Sequence, residues 1–327
     1  MTPLVRSKPL VTGALGALAL AVVPAALGGN GGFAPLEPAS PGADRINDTY
    51  YVVAVFTGIV FVLVQGALLF FVFKYRRHRR ARGDDGPQVH GHTRLEIAWT
   101  VVPVLIVAAI GAFVFYKLPG ISDVPPATAG GGREDLLVKG YRFYWQFEYP
   151  NGAIAVDRMR VPAGRNVKLD VTAPDWDVIH SWWIPRLGGK IDAIPGQTNE
   201  TWFRAERPGV YAGQCAELCG IQHAVMTAEV EALPQAEYDA WVEDRADGEG
   251  LGEETFAGAC AKCHGVAGEG DIGPPLAGNP IVEDAEAIEE IVRNGRNQMP
   301  PVGRDWGERQ MDALTDYVAE EFGGGQG

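Results

Sequence analysis

Gln214-Cys215-Ala216-Glu217-Leu218-Cys219-Gly220-Ile221-Gln222-His223-Ala224-Val225-Met226 places two thiols, an imidazole and a thioether in one short loop. Soft ligands of this kind suit copper, and the geometry they impose tunes its potential. A mononuclear blue-copper loop needs one cysteine, one histidine and an axial methionine, with a second histidine from an earlier strand. Here the loop carries two cysteines four residues apart, and two thiolates can bridge two copper ions. Each copper then needs a terminal imidazole. His223 supplies one, and His180, in Asp177-Val178-Ile179-His180-Ser181-Trp182-Trp183, supplies the other from an upstream turn. Met226 and the backbone carbonyl of Glu217 complete the axial positions. The rival readings are a Cys-x-x-x-Cys disulfide and a copper-delivery protein. Neither uses Met226.

The other two of the four cysteines lie in Cys260-Ala261-Lys262-Cys263-His264, the attachment signature of a c-type haem. Its thiols would form thioethers to the porphyrin vinyl groups, and His264 would take the proximal iron position. The opposite position in an electron-transfer haem is usually methionine. Met299, in Asn297-Gln298-Met299-Pro300-Pro301, lies in a loop whose prolines fix its approach, whereas Met311 falls in a predicted helix and reads as core. No cysteine remains for a structural disulfide or a catalytic thiol. A chain that commits every thiol to a metal or cofactor is an electron carrier. Of the six histidines, His78, His90 and His92 fall between two apolar runs, and the other three already have metal assignments.

The apolar residues of this 327-residue chain are concentrated in three runs before residue 117. The first, residues 10–27, follows Arg6 and Lys8 and ends in small residues, so 1–28 reads as a secretory signal peptide. Residues 51–73 and 97–116 are uncharged and long enough to cross a bilayer of roughly 30 Å hydrocarbon thickness. Between them Lys74-Tyr75-Arg76-Arg77-His78-Arg79-Arg80-Ala81-Arg82 is densely basic. The positive-inside rule makes that loop cytoplasmic and everything after about residue 118 external. Its place beside an apolar span argues against nucleic-acid binding. The net charge of -13 is concentrated near the C-terminus, where residues 249–327 hold sixteen acidic against five basic side chains. Such a surface keeps the domain soluble and suits a basic partner.

A multidomain membrane protein follows: a transmembrane hairpin (46–118), a middle domain (133–233) and a C-terminal domain (250–323). Glycine runs at 130–132 and 248–252 loosen the joins. Residues 141–149 read as one aromatic strand, 167–171 alternates cleanly, and 201–204 and 228–231 are further strands, which indicates an antiparallel sandwich. Residues 234–246 read as a packing helix. Helices are also expected at 253–261, 284–294 and 307–321 in an all-α last domain.

His180-Ser181-Trp182, Asp192-Ala193-Ile194-Pro195-Gly196 and Cys215-x-Glu217-x-Cys219-x-x-x-His223-x-x-Met226 resemble the motifs of subunit II of a haem–copper cytochrome c oxidase. Glu96-Ile97-Ala98-Trp99-Thr100-Val101-Val102-Pro103 resembles the start of that family's second transmembrane helix. With the C-terminal haem signature, the resemblance is to the caa3 type, which carries a fused cytochrome c domain. It implies an all-β cupredoxin sandwich holding binuclear copper A and an all-α class I cytochrome c domain. It implies that Glu217 shares a Mg²⁺ with subunit I, that Glu96 marks a proton pathway, and that Trp145 and Phe143 lie on the electron path. The implied partners are subunits I and III, membrane lipid, and a cytochrome bc1 complex or c-type cytochrome as donor. Two departures stand out: relatives have Gly-His-Gln-Trp where this chain has Gly140-Tyr141-Arg142-Phe143, and often an arginine where it has Gln197. A fused haem with its own route relaxes the need for a tryptophan at 143. Neither apolar span contains a histidine, so oxygen chemistry would belong to a partner. The expected function is electron input to a proton-translocating oxidase. The alternatives are a copper-A subunit of a nitric oxide reductase and a membrane-tethered electron shuttle.

Overall fold

The computed structural model describes residues 34–75, 88–127 and 132–323. The expected signal peptide and the basic residues 76–82, His78 among them, lie outside the described residues. The chain divides into two compact units, one containing residues 45–120 and the other 38–44 with 121–327.

The first unit is built on the helices Pro41–Lys74 and Thr93–Lys117. At 1.5 Å per residue either exceeds what a bilayer core needs. Their side chains are apolar and face outward, with Leu63 67% and Phe115 77% exposed. A helix stretch that is apolar all round and exposed among the described residues is matched to hydrocarbon, where its own backbone bonds satisfy every peptide group. The second helix starts at a reciprocal cap. His92 Nδ1 accepts the Leu95 N–H at 3.2 Å, and the Glu96 carboxylate accepts the His92 N–H at 2.9 Å.

The second unit opens with a two-sheet sandwich. Its strands are β1 (Arg133–Tyr141), β2 (Tyr144–Glu148), β3 (Ile154–Val156), β4 (Arg158–Pro162), β5 (Asn166–Thr172), β6 (His180–Trp183), β7 (Ile191–Ala193), β8 (Asn199–Phe203), β9 (Gly209–Cys215) and β10 (Thr227–Leu233). One sheet runs β3-β2-β1-β5-β8 and the other β4-β10-β9-β6-β7. Period-two alternation puts Val167, Leu169 and Val171 inside, together with Val138, Phe147, Met159, Ile184 and Val230, and turns Lys168 and Asp170 outward.

Two expectations need correction. The aromatic stretch 141–149 is not one strand, because the chain turns at Arg142–Phe143. Asp177 holds that turn by accepting from the Arg142 backbone N–H at 3.1 Å and from its guanidinium at 2.7 Å. Nor is the sandwich purely antiparallel. β1 pairs with β5 in parallel (Leu136↔Leu169), as does β10 with β4 (Val230↔Met159), because the chain changes sheets between these partners.

The helix Gln235–Ala246 packs Trp241 edge-on against Tyr149, with ring centroids 5.2 Å apart. The chain then enters the helices Leu251–Thr255, Ala261–His264, Ala285–Asn294 and Glu308–Phe322. The expected helix at 253–261 is interrupted by a wide π-turn at Phe256–Cys260. Phe256, Val292, Val302, Trp306, Met311, Leu314 and Val318 form a second core, which also takes in Tyr141, Tyr144 and Val156 from the sandwich. The approach is close enough that a Cβ on Gly258 would lie 2.3 Å from Val156 Cγ1. Tyr144 is the main polar link: its hydroxyl donates to the Val302 carbonyl at 2.6 Å and accepts from Trp306 Nε1 at 2.9 Å. Burial holds that hydroxyl well above the ordinary tyrosine range, so it keeps its proton to donate.

Replacing Tyr144 with Phe strands a buried carbonyl and a buried indole N–H, so we expect a loss of about 1–3 kcal/mol in urea unfolding of this unit. Unchanged stability would show that the two cores are not joined through this hydroxyl.

Candidate copper and haem sites

The metal-binding loop lies between adjacent strands β9 and β10 and is tied at its base. The Cys215 N–H donates to the Met226 carbonyl at 2.9 Å, and the Ala216 N–H donates to the Ser181 carbonyl at 2.8 Å. β6 pairs with β9 so that Trp182 faces Cys215, which brings His180 from the upstream strand to the loop. The ligand atoms of His180, Cys215 and Cys219 all lie within 4.8 Å of one another. Cys215 Sγ is 3.9 Å from Cys219 Sγ, and Cys219 Sγ is 3.6 Å from His223 Nδ1 and 3.7 Å from Met226 Sδ. Cys215 Sγ is 3.3 Å from the Glu217 carbonyl oxygen. Each residue singled out in the loop is thus gathered at one place.

A disulfide needs about 2.05 Å between sulfurs, and both cysteines are free. His180 is fully buried; its Nε2 lies 3.7 Å from an Asp177 carboxylate oxygen, and no described group comes within hydrogen-bond distance of either ring nitrogen. Orphaned buried nitrogens are rare and call for a ligand or ion. The sulfurs make the same point electrostatically. Cys219, then His180 and the Ser181 and Glu217 backbone, hold the Cys215 thiol well below its ordinary range. The ionised Cys215 pushes Cys219 upward. Both can be thiolates only with a cation between them. The donor set fits copper.

Packing orients the cluster. The Trp145 ring meets His180 edge-on at 6.0 Å between centroids. Gly140, in β1 opposite Trp145, leaves room for the imidazole, since a Cβ there would lie 3.0 Å from His180 Cδ2. Phe143 lies in the turn rather than in a strand, against Gly220, where a Cβ would come within 2.9 Å of its ring. The Glu217 carboxylate points to Lys190, 3.6 Å from its Nζ. Glu96 belongs to the hairpin unit, where its carboxylate caps the helix.

In the C-terminal domain the Cys260–His264 segment starts at the last residue of the π-turn and runs through the helix Ala261–His264. His264 Nδ1 is 2.8 Å from the Pro274 carbonyl oxygen; an N–H donated there leaves the Nε2 lone pair for a metal. Gly273 lets that loop close on the ring, because a Cβ would lie 2.7 Å from His264 Cε1. Burial pushes the Cys260 thiol up to about 12, which favours the uncharged sulfur that a thioether provides. Met299 packs against the same apolar core, and its backbone pairs with Arg296 in both directions at 3.0 and 2.9 Å. Met311 is core. These residues fit a covalent haem.

Sequence reasoning missed Lys262, Asp157 and Gln222. Lys262 Nζ donates to the Phe143 carbonyl at 2.8 Å and pairs with Asp157, partners 119 and 105 residues away. Nothing in the linear pattern marks them. Gly140 did carry a signal, as a glycine inside a strand marks a close approach.

A membrane hairpin joined to a copper-binding sandwich and a cytochrome c domain defines a membrane-anchored redox protein. Family models described as cytochrome C oxidase subunit II, transmembrane domain and periplasmic domain, match residues 32–116 and 150–233. One described as cytochrome C oxidase, cbb3-type, subunit III, matches residues 250–318. Cytochrome c oxidase subunit 2 of Alkalihalophilus pseudofirmus is 34% identical over 314 residues, covering 86% of this chain and 89% of the relative. That of Cereibacter sphaeroides is 33% identical over 260 residues, covering 67% and 82%. The solved periplasmic domain of subunit II of the Bradyrhizobium japonicum cytochrome oxidase is 33% identical and covers 38% of this chain and 97% of that one, with a TM-score of 0.35. The chain belongs to the cytochrome c oxidase subunit II family. It is therefore a subunit of a haem–copper oxidase, and its domains imply copper A and haem c.

Gly140→Ala should overpack the His180 ring at a cost of about 1–3 kcal/mol. We expect copper bound per chain to fall while covalent haem stays unchanged, read by metal analysis and haem absorbance. Full copper loading would show that His180 does not need its observed position.

Proposed function

We propose that this chain is the electron-input subunit of a terminal cytochrome c oxidase. The observation that carries the reading is that two unpaired buried thiols, an orphaned imidazole and a Cys-x-x-Cys-His segment lie in one compact unit. When bound, the copper and haem groups supply reversible one-electron chemistry at potentials set by their ligands. The protein's part is to hold them. His180, Cys215, Cys219, His223, Met226 and the Glu217 carbonyl would hold two copper ions. Cys260, Cys263, His264 and Met299 would hold haem c. Trp145 and Phe143 line the route between the external surface and subunit I.

A c-type cytochrome or a bc1 complex donates at the acidic C-terminal domain, which spans 250–323. Electrons pass through the sandwich, 133–233, to the oxygen-reducing centre of subunit I, coupled to proton translocation. Subunit III completes the complex. The two redox domains are packed against each other along a shared core, so transfer between them needs no diffusional encounter. The hairpin, 46–118, anchors the chain in lipid with its basic loop cytoplasmic and both redox domains outside, after removal of residues 1–28 as a signal peptide. The Glu217 carboxylate, held by Lys190 in this chain, would turn to a Mg²⁺ shared with subunit I.

The deciding measurement is copper per covalent haem, with the electron paramagnetic resonance spectrum, on the purified oxidase. We expect two coppers per haem c for this subunit and hyperfine splitting from two equivalent nuclei. One copper with a single-nucleus pattern would overturn the reading. Glu96→Gln offers a separate check, because glutamine keeps the oxygen that caps the helix and loses the titrating proton. Slower turnover with intact copper reduction is expected; normal turnover would remove Glu96 from the proton path.

A further inference from the structure

The residue before the loop histidine reaches into the other domain. The Gln222 side chain leaves the copper loop, and its Nε2 donates to the Lys262 carbonyl at 3.3 Å and lies 4.0 Å from Cys263 Sγ. Gln222 is 8% exposed, whereas Leu218, Ile221 and Val225 of the same loop are 78%, 80% and 44% exposed. These exposed neighbours face solvent. Lys262 and Cys263 belong to the haem-attachment segment, and Gln222 is covalently joined to His223. One buried side chain thus connects the ligand residues of two redox groups.

Further contacts fix the register of this crossing. Lys262 Nζ is held by the Phe143 carbonyl and the Asp157 carboxylate. The Phe143 ring lies against Gly220 so closely that no side chain fits there. Asp157 also accepts the Trp145 N–H at 2.9 Å, and Trp145 packs on His180. The carboxamide is therefore placed by both domains at once.

Electron tunnelling weakens steeply across through-space gaps and less steeply along covalent and hydrogen bonds. We infer that Gln222 is the positioning residue for electron transfer between the haem segment and the copper loop, its carboxamide replacing an open gap with a hydrogen-bonded path. The inference rests on the reading in the preceding subsection. With both groups bound, the haem would supply one electron and the copper centre would accept it, with no bond made or broken.

The test uses Gln222→Met in the intact oxidase, a side chain of similar length without the donor. Haem is reduced by pulse radiolysis and electron arrival at copper is timed. Both midpoint potentials, the copper resonance spectrum and hydrogen exchange at the Tyr144–Trp306 seam are measured alongside. We expect transfer slower by on the order of tenfold, with potentials, spectrum and exchange unchanged. An unchanged rate overturns the inference. So does slowing that comes with an altered copper spectrum or faster exchange, since Gln222 would then only support the loop or the seam. Absence of haem-to-copper transfer in the unsubstituted protein would instead bring down the electron-input reading, and this inference with it.

Discussion

Two thiols 3.9 Å apart beside a buried imidazole without hydrogen-bond partners form an arrangement that protein groups alone do not satisfy. Ionising both sulfurs without a cation sets like charges together in a weakly screening interior, and the orphaned ring nitrogens add their own desolvation cost. The sandwich accepts that arrangement because other features hold it in place. β6 and β9 pair to fix His180 relative to Cys215, Gly140 makes room for the ring, and Trp145 closes over it. A metal turns the same arrangement from a liability into a stabilising one, since ligand deprotonation and binding are coupled.

The second organising feature is the seam between the two soluble domains. It is not a loose tether. Tyr141, Tyr144 and Val156 of the sandwich belong to the apolar core of the C-terminal domain, and Tyr144 is hydrogen-bonded on both sides. The Glu254 carboxylate ties strand to helices, accepting from the Val156 N–H at 2.8 Å, Arg160 at 3.1 Å and Arg245 at 2.7 Å. A mostly buried carboxylate is tolerated because two guanidinium groups and a backbone donor compensate its lost hydration. The turn at Arg142–Phe143 serves this seam: its carbonyl receives Lys262.

Much was legible in the linear pattern because the chemistry is local. The copper loop is short, so the five candidate residues in it stand out by spacing, and the haem signature is contiguous. The hairpin was legible because hydrocarbon imposes a length and a uniform polarity. Strand β5 was legible from alternation. The break at 142–143 was not, because it depends on Asp177, which is 35 residues away. Parallel pairing of β1 with β5 was also hidden, since alternation reports which face is buried and says nothing of a neighbour's direction.

The sequence by itself determined the kinds of ligand available, the number of thiols committed to them, and the division into membrane hairpin, sandwich and helical domain. Those properties follow from residue identity and short-range spacing. Only the tertiary structure decided that Asp157 meets Lys262, that Gln222 crosses from one domain to the other, and that Gly258 lies hard against Val156 of the sandwich. Such contacts join residues tens to more than a hundred positions apart. Their cause is the packing of two cores against each other, which no local pattern encodes.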